Sequence, residues 1–111
     1  MYKAILTVIF LLASLGCQAE VITCSNMDIQ SVAAEGDRDD NFVAQSSLLI
    51  KLSSNCAGKN YVFASLDDPA FNAFLSVALA AKSTGKKVEI AINTSKAISF
   101  ANYIAYIAFS G

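Results

Sequence analysis

Histidine and tryptophan are absent from the 111 residues, proline occurs once at Pro69, and arginine once at Arg38. Without an imidazole there can be no Ser-His or Cys-His nucleophilic pair, and the commonest zinc ligand is missing. The chain contains no GxSxG turn, no P-loop and no glycine-rich dinucleotide turn. Carboxylates could still supply an acid and a base. Most have structural work to do: Asp37, Asp39 and Asp40 crowd one turn, and Asp67 and Asp68 precede a helix. The chain therefore reads as a non-enzyme with no catalytic residue, no cofactor and no metal site. One arginine and no basic stripe also leave nothing to grip phosphates, so nucleic acid is excluded as a partner. Lys82, Lys86 and Lys87 are the one local concentration of positive charge, and they sit where a helix end favours cations.

Hydrophobic residues make up 55% of the chain, and much of the excess lies at its start. Met1-Tyr2-Lys3 gives a basic opening, residues 4–15 form an apolar and small-residue run, and Gly16 and Ala19 supply small residues near a cleavage point. That order predicts a secretory signal peptide over residues 1–19. The run is shorter than the ~20 apolar residues that span a bilayer, so no transmembrane segment is expected after its removal. Cleavage after Ala19 would leave Glu20 as the mature N-terminus, and a periplasmic or secreted protein. Cys17 could instead be a lipobox cysteine, anchoring the protein through an acyl chain. Ser14 and Leu15 reverse the usual lipobox order.

Export changes the cysteine arithmetic. Losing Cys17 leaves Cys24 and Cys56, and an even pair in an oxidising compartment predicts a disulfide. A loop of about 30 residues closed in this way contributes roughly 3–4 kcal/mol in the chain-entropy model. The alternative is two buried free thiols. Losing Lys3 leaves seven basic against nine acidic residues, a net charge of −2.

Residues 20–111 are expected to form one domain. A first strand is predicted over residues 27–34, a polar turn over 36–41, and a second strand within 42–52. A loop over 53–60 leads to a short strand, Tyr61-Val62-Phe63-Ala64. The turn residues Asp37-Arg38-Asp39-Asp40-Asn41 begin like a calcium loop. Phe42 and Leu48 then stand where such a loop needs Gly and Glu, so a solvated hairpin turn is the better reading. Asp68-Pro69 predicts a helix start, with Asp68 accepting from free backbone N–H groups. Phe71, Phe74, Leu75, Ala78 and Leu79 form its apolar stripe and Gly85 ends it. Residues 87–92 alternate polar and apolar as a half-buried strand does. Residues 98–109 form a terminal strand that is apolar on both faces, which predicts a place centrally in the sheet or against a partner. The order is β-β-β-α-β-β. The fold class is α+β and β-rich: a small, OB-like, partly open antiparallel barrel with one helix. Tyr61, Tyr103 and Tyr106 could stack on a sugar or on a partner side chain, although strand aromatics commonly serve the core.

The segment Ala78-Leu79-Ala80-Ala81-Lys82-Ser83-Thr84-Gly85-Lys86-Lys87-Val88-Glu89-Ile90 resembles the helix-to-strand junction of subtilase cytotoxin B subunits and related pertussis-like toxin B subunits. There a helix also ends in a Thr-Gly turn before a Val-x-Ile strand. It is similar, too, to small exported bacterial proteins with the same core. The likeness extends over residues 61–92 and loosely beyond. It implies an OB-like subunit, assembly into a homo-oligomer (a pentamer), and binding of cell-surface glycans. It transfers no site residue, because that family's sugar-contacting serine, glutamate and tyrosine have no matching positions here. Cys24 is also expected to precede the first strand, whereas the toxin subunits carry both cysteines of a disulfide within strands. The expectation is an exported, non-catalytic binding module whose ligand-binding residues are unknown. The alternatives are a periplasmic or surface interaction protein, such as an enzyme inhibitor, or a small envelope lipoprotein.

Overall fold

The computed structural model describes residues 20–110, so the expected signal peptide and Cys17 lie outside the described residues. The chain runs β1 (Val21–Met27), β2 (Ile29–Glu35), β3 (Ser47–Cys56), β4 (Lys59–Ser65), α1 (Phe71–Thr84), β5 (Val88–Asn93), a 3-10 turn (Thr94–Lys96) and β6 (Ala101–Phe109). It is a strand-rich α+β domain with one helix on a single six-stranded sheet, in the order β1-β5-β6-β4-β3-β2. The sheet's two ends, β1 and β2, are consecutive in the chain, with Asp28 alone between them. A sheet whose edges are successive pieces of one strand must curl toward itself, which produces the expected open-barrel form.

The expected order lacked one strand. β1 was missed because it is an edge strand with a bulge between Cys24 and Met27, where Asn26 takes φ 54°. Four of its seven residues are exposed, and Thr23, Ser25 and Asn26 break up its apolar positions, so no clear alternation marks it. Cys24 therefore lies inside a strand and not ahead of the first one. The sheet is also not wholly antiparallel, since β4 and β6 run parallel through Tyr61–Ala101 and Phe63–Tyr103. β6 is flanked by β5 and β4, the central position its two apolar faces call for.

Boundaries moved for local reasons. Residues 42–46 belong to the β2–β3 loop, where Ser46 takes φ 54° and its N–H donates to the Gly36 carbonyl (2.9 Å). β3 instead runs on to Cys56, because a two-residue turn at Ala57-Gly58 replaces the expected longer loop. Ala57 (φ 51°) and Gly58 (φ 85°) both lie in the left-handed region, as a type I′ hairpin turn demands. The helix starts at Phe71, after Ala70. Asp68 folds a turn just before it, accepting from the Ala70 N–H (2.9 Å) without capping the helix itself. Gly85 (φ 70°) ends the helix as expected, its N–H donating to the Ala81 carbonyl. Of the predicted stripe, Phe74 and Ala78 are buried with Ala81, whereas Leu79 points outward at 49% exposure.

The core lies inside the curl. Leu48, Ile50 and Leu52 of β3 meet Val62 and Ala64 of β4, Val88, Ile90 and Ile92 of β5, Ile104 and Ile107 of β6, and the buried side of α1. Alternate residues of a strand share a face, so Leu49 points the other way into a smaller cluster with Ala44 and Ala101. Cys24 on β1 is disulfide-bonded to Cys56 at the end of β3, with S–S 2.06 Å and Cα atoms 5.9 Å apart. These two strands are not ladder partners. The bond thus ties together the two sides of the gap in the curled sheet. The Ser53 N–H donates to the Asp28 carbonyl (3.0 Å) at the same seam. Buried Asn102 holds the Cys56 carbonyl from β6 through its Nδ2 (2.9 Å).

Replacing both cysteines (Cys24→Ser with Cys56→Ser) is expected to lower unfolding stability by roughly 3–4 kcal/mol. Urea titration against the oxidised protein checks this, and an unchanged midpoint would contradict the role given to the bond. Ala57→Asn should raise stability by about 1 kcal/mol, since Asn accepts the left-handed conformation that alanine resists. The same titration should place its midpoint above that of the parent.

Candidate functional site

Three polar or aromatic clusters stand out, and they differ in what their side chains are already committed to. The first surrounds Tyr103. Its ring meets Phe63 edge-on (4.9 Å between centroids), and Lys96 Nζ lies 5.2 Å from the ring centre. Its hydroxyl donates to Asp68 Oδ2 (2.6 Å) and accepts from the Ser65 N–H (3.2 Å). The Tyr103 hydrogen bond, then the Ala70 N–H, holds the Asp68 carboxyl below its ordinary value. Burial, then the Asp68 contact, pushes the Tyr103 hydroxyl up. Every polar atom of Tyr103 is engaged, and its ring is buried. This cluster fastens the turn before α1 to β6 and has no group left for a ligand.

The second cluster organises the loop over residues 36–46. Arg38 pairs with Glu35 (2.9 Å) and Asp40 (2.5 Å) and lies 4.4 Å from the centre of the Phe42 ring. The Asp40 contact, then Glu35, raises the guanidinium above its ordinary value, and Arg38 in turn holds the Asp40 carboxyl down. Phe42 continues to Phe100 (6.0 Å) and Phe100 to Tyr61 (5.4 Å, edge-on), and Lys51 lies over Tyr61. Arg38 thus pairs with one carboxylate of the turn, Asp40, and one at the end of β2, Glu35. The row of rings roofs the smaller apolar cluster. Asp37, Arg38 and Asp39 do not form a metal cage, and among the described residues no group of three potential ligands is arranged to hold a metal.

The third cluster lies on the outer face of β1, β5 and β6. In a strand, residues either side of an inward side chain point outward. Cys24 turns in to its disulfide, so Thr23 and Ser25 turn out. On β5, Ile90 is buried and Glu89 points out. On β6, Ile107 is buried and Tyr106 points out, at 40% exposure. The Tyr106 hydroxyl donates to Glu89 Oε2 (2.6 Å), and Ser25 Oγ lies 3.5 Å from Glu89 Oε1. The Glu89 hydrogen bond raises the Tyr106 hydroxyl above its ordinary value, and the Thr23 hydroxyl acts in the opposite sense. The residues across the ladder from Glu89 and Tyr106 are Ala108 and Ala91, and Ala91 is fully buried between its neighbours. The described residues enclose no pocket.

No family model and no curated protein matches this chain. The site must therefore be argued from its own residues. Of the three tyrosines singled out in the sequence, Tyr103 is buried in structural contacts and Tyr61 is half-buried in the aromatic row. Tyr106 is the most exposed of the three, at 40%, beside the Glu89 carboxylate. Glu89 was legible only as the polar position of an alternating strand. Thr23 and Ser25 carried no signal, because β1 itself did not.

Tyr103→Phe is expected to cost about 1 kcal/mol by removing a part-buried hydrogen bond. Its pH dependence has a definite sign. The folded Asp68 carboxyl ionises below its unfolded value near 3.8, so its contribution is present above that value and is lost as pH falls through the folded value. The folded Tyr103 hydroxyl ionises above its unfolded value near 10, so its contribution is present below that value and is lost as pH rises through the folded one. The stability gap between parent and variant should therefore be widest between these limits and narrow at both extremes. A gap that grows in acid would contradict the assignment.

Proposed function

We propose that this chain is an exported, non-catalytic binding domain that recognises a glycan through the outer face carrying Thr23, Ser25, Glu89 and Tyr106. The observation behind this reading is the Glu89–Tyr106 pair, held at 2.6 Å on an open strand face with two hydroxyl side chains beside it. A tyrosine ring offers a flat apolar platform with a polar tip, which suits the apolar face of a sugar. A carboxylate beside it accepts from neighbouring sugar hydroxyls, since its two oxygens offer about four acceptor sites. The likeness of residues 78–90 to toxin B subunits supports the same reading, and with it assembly of several copies. A disulfide fits an oxidising compartment, and among the described residues no helix is long and apolar enough to cross a membrane.

A second reading is favoured by one specific feature. The loop over residues 36–46 is pinned by Arg38 and by the Arg38 N–H donating to Gln45 Oε1 (2.8 Å), and it presents Val43 at 57% exposure. A pre-ordered loop with an exposed apolar residue suits docking to another protein, as an enzyme inhibitor does, because little entropy is lost on binding.

Tyr106→Ala separates the two. On a glycan array it should abolish or reduce retention at least tenfold while lowering unfolding stability by no more than about 1 kcal/mol, the span of strand propensity. Retention unaffected by Tyr106→Ala but lost with Val43→Asp would move the binding surface to the loop. Light scattering on the oxidised protein reports assembly: a pentamer fits the B-subunit reading, a monomer fits the inhibitor.

A further inference from the structure

Resting on the glycan reading, we infer that the Glu89–Tyr106 face selects uncharged sugars and rejects those ending in a carboxylate. The inference comes from what surrounds Glu89. One of its oxygens accepts from the Tyr106 hydroxyl, and the other lies 3.5 Å from Ser25 Oγ, a long contact that leaves it open to a stronger donor. Tyr106 spends its proton on Glu89, and its own oxygen retains acceptor capacity. The face is therefore rich in acceptors. It suits a ligand that brings O–H donors, as a neutral hexose does on several adjacent carbons.

Among the described residues no cation is paired with Glu89. The ion pairs among the described residues are Arg38 with Glu35, Arg38 with Asp40, and Lys87 with Asp28. Lys87 stands two residues before Glu89 on the approach to β5, and its ammonium is taken up by Asp28 at 2.8 Å. A ligand carboxylate reaching this face would meet an unpaired negative charge with no arginine fork to receive it. Carboxylate recognition by proteins normally relies on such a fork or on a helix N-terminus. Here the flanking groups are hydroxyls and alanines: Thr23, Ser25, Ala91 and Ala108. The charge balance of residues 20–111, net −2, adds a weaker repulsion of the same sign.

The probes are neutral hexose-terminated oligosaccharides and the same oligosaccharides capped with sialic acid, immobilised and presented to the oxidised protein at low ionic strength. Uncapped probes should be retained, and capping should weaken retention at least tenfold. Raising salt should shrink that ratio, because screening shortens the reach of the repulsion. Glu89→Gln should weaken retention of uncapped probes and also reduce the capping penalty, a double change that a loss of folding would not produce. Circular dichroism confirms that the variant at this half-buried position folds. Preferred or equal retention of capped probes overturns the selectivity and leaves the glycan reading standing. A capping penalty unchanged by Glu89→Gln also overturns it. Retention of neither probe set overturns both.

Discussion

The bond between Cys24 and Cys56 is the constraint on which the rest of the structure leans. β1 is held in the sheet on one side only, by its ladder to β5, and that ladder is broken by a bulge before Met27. Across the gap, β3 is not a ladder partner, so without a covalent tie β1 would be a short edge strand held by one broken ladder and by Ile22 and Met27 against the core. The disulfide supplies that tie, and Asn102 fixes the Cys56 end of it from the central strand. The consequence reaches the outer surface through alternation. With Cys24 turned inward and locked, its neighbours Thr23 and Ser25 must face outward, beside Glu89 and Tyr106. The position of the hydroxyls is thus a by-product of the staple beneath them.

The three surface clusters show why polar side chains in proximity are not by themselves a site. Around Tyr103 and around Arg38, the charges and hydrogen-bond groups are consumed internally. Tyr103 secures the entry to the helix, and Arg38 gathers the carboxylates of a long loop and covers a small apolar cluster. Surface ion pairs of that kind contribute only ~0.2–1 kcal/mol each, so their value lies in fixing the loop's shape. The Glu89 cluster differs because its acceptors outnumber its donors and its ring is part-exposed. It links β1, β5 and β6 through Ser25, Glu89 and Tyr106, and its carboxylate keeps acceptor sites for something else.

Much of the fold was legible from simple rules, and the failures have physical causes. The helix end at Gly85, the half-buried strand before Asn93 and the central place of the last strand followed from a left-handed cap, a period of two and apolarity on both faces. The disulfide followed from cysteine parity once the first cysteine was set aside. β1 was invisible because an exposed edge strand needs no apolar alternation. The helix start slipped by two residues because Asp68 has two demands on its carboxylate, the Ala70 N–H and the Tyr103 hydroxyl. The latter comes from a residue 35 positions away, which no local pattern reveals. The site was legible only through Tyr106, and even there Tyr61 and Tyr103 looked equivalent. What distinguishes them is register, since Tyr106 pairs with Ala91 while Tyr103 packs under Phe63.

An open strand face also limits how tightly one copy can hold a sugar. A ligand resting on one ring and one carboxylate keeps much of its surface in water, and the cost of immobilising it offsets much of the contact energy. Exchanging water hydrogen bonds for protein ones yields only ~0.5–1.5 kcal/mol per bond. Useful retention on a cell surface then depends on several such faces engaging at once, where each further contact becomes intramolecular. Assembly is therefore a physical requirement of the glycan reading, independent of any likeness to toxin subunits. A weak single site and a multivalent array stand or fall together. A monomer of this chain would need a deeper cleft than the Glu89–Tyr106 face provides.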